Sequence, residues 1–489
     1  MPLRLRHAAT VVLVASLPVL VAAVLARGLL GGSLLHAVPY VSDEVAYWTQ
    51  ISTFQAAGFD GGYTTVNEHP ARAPFSHFGP HGPAFSILYG LPARVTGWGY
   101  ATGPLFGAVA FILGAATWIA VARPERWHAA LLLATFWPVI LAAPNTMQES
   151  LHFAVACLMA ALIGSALAEG PTPRRHLWLA WAVLAAASLV RPIWALPAIG
   201  FGWQLARKRG SRTGAWGLVA GAIACGVLYL GFAYLAAPYP SAVSGLDMIT
   251  RGPLEAIAVL QRVAASARPW LTGEAEPLDR FYRVEVLVVA VLASVSAARG
   301  RDAGARRIAA ATALTLWALI VANLALRNTG DWQDYRSATP VLLMVVLAAA
   351  ATRARWTWAV ITAHLLVAPL GVATFKEFHE PHWNRSDPVA AIDRFAQSIR
   401  GHIRYDRSLS GWGNTVLISV DHYDFPLMGL PPGVAVSAAF NWNDVASPVR
   451  SRYLLLTGPE IPAMSARIRL RKLTDTPLGE LYENQDWQR

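Results

Sequence analysis

Apolar residues fall in long unbroken stretches separated by short polar segments, and this alternation predicts most of the architecture. Runs long enough to cross a bilayer, at about 17 to 25 residues each, lie near 8–30, 102–122, 129–144, 150–168, 214–236, 282–298, 308–326, 337–352 and 356–374. Between Leu177 and Leu205 there is one longer run, interrupted by Arg191 and Pro192. A single helix of that length overshoots the hydrocarbon, and proline breaks the helical ladder, so the run reads as two spans joined by a tight outer turn. The pattern predicts a polytopic α-helical membrane protein with about eleven transmembrane helices.

The polar segments are unequal. Two of them, 31–101 and 237–281, are long, and loops of that length in a compact protein carry structure or function. Within the first, Glu44 to Ala57 and Ala84 to Arg94 look like amphipathic helices, the second too short to span, so both should lie along the membrane interface. From Phe375 the composition changes. A polar helix at Asp387 to Arg400 is followed by strand-like Thr415 to Val420, Val434 to Ala438 and Tyr453 to Thr457. The chain therefore divides into a transmembrane domain, 1–374, and a small α/β domain, 375–489.

Composition agrees with a lipid environment. Of the 489 residues 55% are hydrophobic and only 14% charged, against about 25% charged in soluble domains. The net charge of +11 does not point to nucleic acid, because the basic residues sit in short clusters between apolar runs. These are Arg123 and Arg126, Arg174 and Arg175, Arg207 to Arg212, Arg299 to Arg307, and Arg353 with Arg355, one cluster in every second loop. Most acids occupy the alternate loops, among them Asp43, Glu44, Asp60, Glu68, Glu149, Asp279, Asp331 and Asp334. Basic loops stay cytoplasmic, which places the N-terminus inside and the 375–489 domain on the periplasmic or extracellular side of an inner (plasma) membrane. Arg4, Arg6 and His7 ahead of the first apolar run read as an uncleaved signal anchor. Cys157 and Cys225 lie inside apolar runs and behave as small hydrophobes.

Candidate chemistry concentrates in the outer loops. Asp43 and Glu44 follow the first span directly, where a carboxylate at a dry interface can serve as general base toward a hydroxyl. The same pair also suits a helix N-terminus capped by Ser42. Further along come Asn67-Glu68-His69-Pro70, then His77-Phe78-Gly79-Pro80-His81-Gly82-Pro83 entering an interfacial helix. Glu149 closes a short outer loop, Arg191-Pro192 breaks the long apolar run, and Tyr335-Arg336 precedes Pro340 at the next-to-last span.

In the order of these motifs the whole chain resembles the GT-C superfamily of membrane glycosyltransferases, which includes protein O-mannosyltransferases and aminoarabinose transferases. His-Gly-Pro stands where many relatives have consecutive prolines, and Glu149 where Asp is commoner. The resemblance implies transfer of a sugar from a polyprenyl-phosphate-linked donor to a glycan, lipid or protein acceptor on the outer face. It makes Asp43 the base of an inverting reaction, with Glu44 beside it orienting the acceptor or the loop. The leaving phosphate needs cationic partners in a low-dielectric site, for which Arg336, Arg191 and Arg72 are the candidates. Glu68, His69, His81, Glu149 and Tyr335 are candidate substrate-binding residues. Glu68, His69, His81 and Glu149 are also of the types that bind a divalent metal, although their spacing matches no closed zinc site. The partners expected are thus the lipid-linked donor, the acceptor and membrane lipids. Two other classes remain open at this point: a lipid-linked saccharide transporter or flippase, which should carry ionisable residues near the midplane and broken helices, and a polysaccharide polymerase or ligase of different fold.

Overall fold

The computed structural model describes residues 3–40, 42–170, 174–209, 211–239, 253–272, 276–300, 302–326, 336, 338–383 and 386–487. Six helices within them are long and apolar enough to cross a membrane: His7–Leu30, Thr102–Ala122, Glu149–Leu167, Ala215–Leu235, Pro277–Arg299 and Ala303–Ala325. They belong to α1 (Leu3–Leu30), α4 (Thr102–Ala122), α7 (Glu149–Leu167), α10 (Ser211–Leu235), α12 (Pro277–Arg299) and α13 (Ala303–Leu326), with α11 (Pro253–Thr272) between α10 and α12. The other expected spans are shorter or broken. The 129–144 run divides into α5 (Arg126–Thr135) and α6 (Trp137–Ala142), with Pro138 in the first turn after the break. The Leu177–Leu205 run becomes α8 (Arg174–Val190), a single 3₁₀ turn at Pro192–Ala195 and α9 (Leu196–Arg209), breaking where Arg191-Pro192 predicts. Buried α14 (Thr339–Ala351) has only 13 residues. A 55° bend separates α15 (Trp356–Leu366) from α16 (Ala368–Trp383), a pair that counts as a seventh span if taken together.

Contacts between segments confirm the alternation of the two ends. At one end Lys208 donates to the carbonyls of Ala166 and Ala168 at the C-terminus of α7, where a cation complements the helix dipole, and Arg307 donates to Leu167. At the other end Thr146 and Arg191 approach Glu44 and Glu149 respectively, and the Ala73 amide donates to the carbonyl of Tyr234. Helix packing sets the position of α7 there. Gly103, Gly107 and Gly114 of α4 let the backbones meet so closely that a Cβ at any of them would collide with Thr146, Ser150 or Ala154.

Above this end lies a six-stranded sheet in the order β1-β3-β2-β4-β6-β5. Strands β2 (Thr415–Ser419), β3 (Ala435–Ala439) and β4 (Tyr453–Leu456) are parallel, while β5 (Leu470–Thr476) and β6 (Gly479–Asn484) form an antiparallel hairpin. The edge strand β1 (Thr65–Val66) comes from the first long loop and pairs in parallel with β3, Thr65 opposite Ser437. Gly62 is required just before it, because a side chain there would run into the carbonyl of Asn414. One face of the sheet is covered by α17 (Ser386–Ser398), whose Ile392 and Phe395 pack with Val416, Ile418 and Val436. Val38 and Val45 of the first loop belong to that same core, so loop and sheet are joined by packing as well as by β1. The helix α16 carries the chain through position 375 without a break.

The two expected interfacial helices differ. α3 (Ala84–Thr96) exposes Leu88, Leu91 and Val95 on one side, an apolar stripe suited to lipid. α2 (Ser42–Ala57) instead buries Val45, Tyr47, Ile51 and Phe54 between α3 and the sheet domain.

Candidate active site

The first turn of α2 places two adjacent carboxylates in opposite surroundings. Asp43, with a side chain 40% exposed, stands 3.3 Å from a guanidinium nitrogen of Arg336, itself 29% exposed. Arg336 also points a nitrogen at the sulfur of Met147, 3.4 Å away. Glu44 is 1% exposed, and its oxygens accept from the Tyr40 amide at 3.1 Å and the Thr146 amide at 2.8 Å. Glu44 is therefore a strut between the chain leaving α1 and the loop entering α7, and it leaves Asp43 as the reachable carboxylate of the pair.

Beside this pair lies a second one. Glu149 opens α7, and Arg191, held between α8 and the 3₁₀ turn, brings Nη1 to 4.0 Å from its carboxylate. One turn further along α7, His152 accepts at Nδ1 from Trp194 Nε1, 3.1 Å away. Across from them the Tyr47 hydroxyl sits 3.2 Å from His81 Nδ1. Burial holds the Tyr47 phenol well above its ordinary value; the charges of Asp43 and Glu149 add to this while Arg191 and Arg336 oppose it. Burial also pushes the His81 imidazole down, against the raising effect of Asp43. Tyr89 of α3 is likewise raised, by burial and then by Glu149. Five separated segments thus share one electrostatic neighbourhood at one end of the bundle. On sequence alone Tyr47 and His152 carry no role; a helical reading that puts Tyr47 one turn after Asp43, and His152 one turn after Glu149, marks both, and His152 also stands out as an ionisable residue within an apolar run.

Other expected site residues lie elsewhere. Glu68 is fully buried in the sheet domain, where its two oxygens accept from the amides of Arg450 at 2.6 Å and Ser451 at 2.8 Å. Burial raises its carboxyl above the ordinary value despite these hydrogen bonds. His69 lies 3.1 Å from the carbonyl of Asp444, and Arg72 is exposed on the loop after β1. Through these contacts Glu68 and His69 fasten β1 to the C-terminal sheet, with Asn67 and Glu68 both at positive φ in the turn. Tyr335 lies outside the described residues. Among the described residues no three His, Cys, Asp or Glu side chains come together as a metal site, so the four metal candidates divide between the sheet (Glu68, His69) and the bundle (His81, Glu149).

Fold and site define a multi-pass helical membrane protein that gathers buried acids, arginines and aromatic hydroxyls at one bundle end, beneath a sheet to which its own first loop contributes a strand. No protein-family model and no curated protein matches the chain. Among solved structures it is similar to ArnT from Cupriavidus metallidurans in the apo state, at 14% identity and a TM-score of 0.44 over 96% of this chain and 97% of that one. The structure of that protein bound to undecaprenyl phosphate is similar at 15% identity and a TM-score of 0.41, over 97% and 98% of the two chains.

Proposed function

We propose that this protein is a GT-C-type glycosyltransferase, moving a sugar from a polyprenyl-phosphate-linked donor to an acceptor hydroxyl at the outer face of the inner membrane. The observation that carries the reading is the meeting of Asp43 and Arg336, residues 293 positions apart, at 3.3 Å. One is the base and the other the phosphate ligand that the motif order implies. The acceptor oxygen attacks the anomeric carbon while its proton passes to Asp43; the bond from that carbon to the phosphate oxygen breaks, its electron pair leaves with the phosphate, and the centre inverts. Arg336 receives the charge that accumulates on the leaving oxygen. A partly exposed ion pair contributes about 0–1 kcal/mol, so an arriving phosphate can draw Arg336 away from Asp43 at little cost. Arg191 is the second cation within the cluster.

The test is release of polyprenyl phosphate from a radiolabelled polyprenyl-phosphate hexose, with cell-envelope fractions as acceptor. Asp43→Asn should lower the rate by about 10²- to 10⁴-fold, the usual contribution of a positioned base, without weakening donor binding. A rate within a few-fold of the parent reduces Asp43 to a helix-capping residue and rejects the mechanism.

A second reading, a flippase for lipid-linked saccharides, gains from one observation. Glu285 of α12 and His364 of α15 meet at 2.9 Å inside the bundle, and the helix bends by 55° just after His364. Translocation of a fluorescent polyprenyl-phosphate sugar across liposomes, undiminished by Asp43→Asn, is the result that selects it.

A further inference from the structure

We propose that His152 is a specificity-determining residue of the donor site, and that its Nε2–H donates a hydrogen bond to an oxygen substituent of the transferred sugar. This rests on the glycosyltransferase reading and deepens it. The tautomer follows from chemistry. An indole nitrogen only donates, so Trp194 Nε1–H at 3.1 Å requires a bare Nδ1, and neutral imidazole then carries its proton on Nε2. His152 is fully buried, and Nε2 has no hydrogen-bond partner. The ring belongs to the site by position. Helical side chains lean toward the N-terminus, so His152 reaches back from the second turn of α7 toward Gln148 and Glu149, with Arg191 and His81 as the titratable groups that act on it.

A second observation is independent of the tautomer. Gln148 Nε2 and Tyr89 Oη are also buried and unpartnered, and the charge on Glu149 acts on Tyr89. Buried polar atoms are paired in all but a small fraction of cases, and these three come from the start of α7 and from facing α3. Such a group of unspent hydrogen-bonding atoms beside an anomeric-transfer site suits a ring that presents several oxygens. A fixed N–H in that shell accepts a hydroxyl or carbonyl oxygen as partner and is mismatched to an ammonium group, which can only donate. The substrate class is therefore a hydroxylated sugar, not one with a charged amine at the position facing His152.

The experiment uses the full chain in nanodiscs and four probes: decaprenyl phosphate alone, and decaprenyl phosphate carrying glucose, mannose or 4-amino-4-deoxyarabinose. The parent should bind at least one hexosyl lipid tighter than the bare lipid and tighter than the amino-sugar lipid. In His152→Leu that gain from the sugar should fall at least tenfold while bare-lipid affinity stays within twofold. His152→Gln, whose amide can accept from Trp194 and still donate, should recover most of the gain. An unchanged sugar gain in His152→Leu, an equal loss for the bare lipid, or no recovery in His152→Gln each overturns the assignment, and tightest binding of the amino-sugar lipid by the parent overturns the substrate class. Failure of the parent to bind any decaprenyl phosphate rejects the transferase reading itself, and this inference with it.

Discussion

Asp43 and Glu44 are neighbours of the same charge, yet they sit in surroundings so different that a melting experiment should separate them. Glu44→Ala removes the acceptor from two backbone amides, Tyr40 and Thr146, at a side chain only 1% exposed. The buried Thr146 amide left without a partner costs about 1–3 kcal/mol and the part-buried Tyr40 amide about 0–1 kcal/mol, so the substitution should destabilise by roughly 1–4 kcal/mol. A chain of this length has a large unfolding entropy, and each kcal/mol then moves the melting midpoint by only about 1–2 °C, which gives a drop of roughly 1–8 °C. Glu44→Gln keeps one acceptor oxygen and should fall in between, with measurable turnover. Asp43→Asn disturbs only a partly exposed pair worth about 0–1 kcal/mol and should melt within about 2 °C of the parent. Tryptophan-fluorescence melting of the three purified variants in one detergent reads all of this. If Glu44→Ala melts with the parent, or Asp43→Asn melts lowest of the three, the division into strut and reactive group is wrong.

Other perturbations follow from the same contacts. Arg336→Lys keeps the charge but loses the planar fork, and should weaken binding of a polyprenyl-phosphate sugar more than Arg72→Lys does; unchanged donor affinity in Arg336→Ala rejects the phosphate role. His81 is held below its ordinary value of 6.5 by burial, so its neutral form supports the fold above that pH and the support is lost as pH falls through the lower folded value. The melting temperature should therefore drop between pH 7.5 and 5, and His81→Gln should flatten that drop; an identical slope refutes it. Glu285→Leu or His364→Leu alone should destabilise by about 3–5 kcal/mol by leaving one buried partner, while the double substitution recovers most of the loss in a melting series. Glu68→Ala should raise the rate of protease cleavage around β1, because it unpins the Arg450 and Ser451 amides from the loop.

Some of this architecture could be read from the residues and some could not. The α4 helix and the break at Arg191-Pro192 fall where hydropathy and proline place them, since both signals are local. The strands β2, β3 and β4 are short apolar runs, buried on both faces, and stand out for the same reason. The β5–β6 hairpin was invisible because its charged residues are satisfied across the strands, Lys472 with Glu480 and Arg471 with Glu483, leaving no apolar alternation to detect. β1 has two residues and exists only because β3, some 370 positions away, offers an edge. The site divides in the same way. Asp43, Arg336, Glu149 and Arg191 stood out as charges at the mouths of apolar runs. Glu68 stands out equally, and its hold on the Arg450 and Ser451 amides, which come from the far end of the chain, can be read only from the fold.

The central claim is that Asp43 and Arg336 face the two ends of one breaking bond. A density map of the protein with a bound polyprenyl-phosphate sugar tests it most directly. The account predicts the phosphate within hydrogen-bonding distance of Arg336, the anomeric carbon turned toward Asp43, and the sugar ring against Glu149 and His152. A lipid phosphate seated at the opposite end of the bundle, near Lys208 and Arg307, or a sugar held out of reach of Asp43, would contradict it.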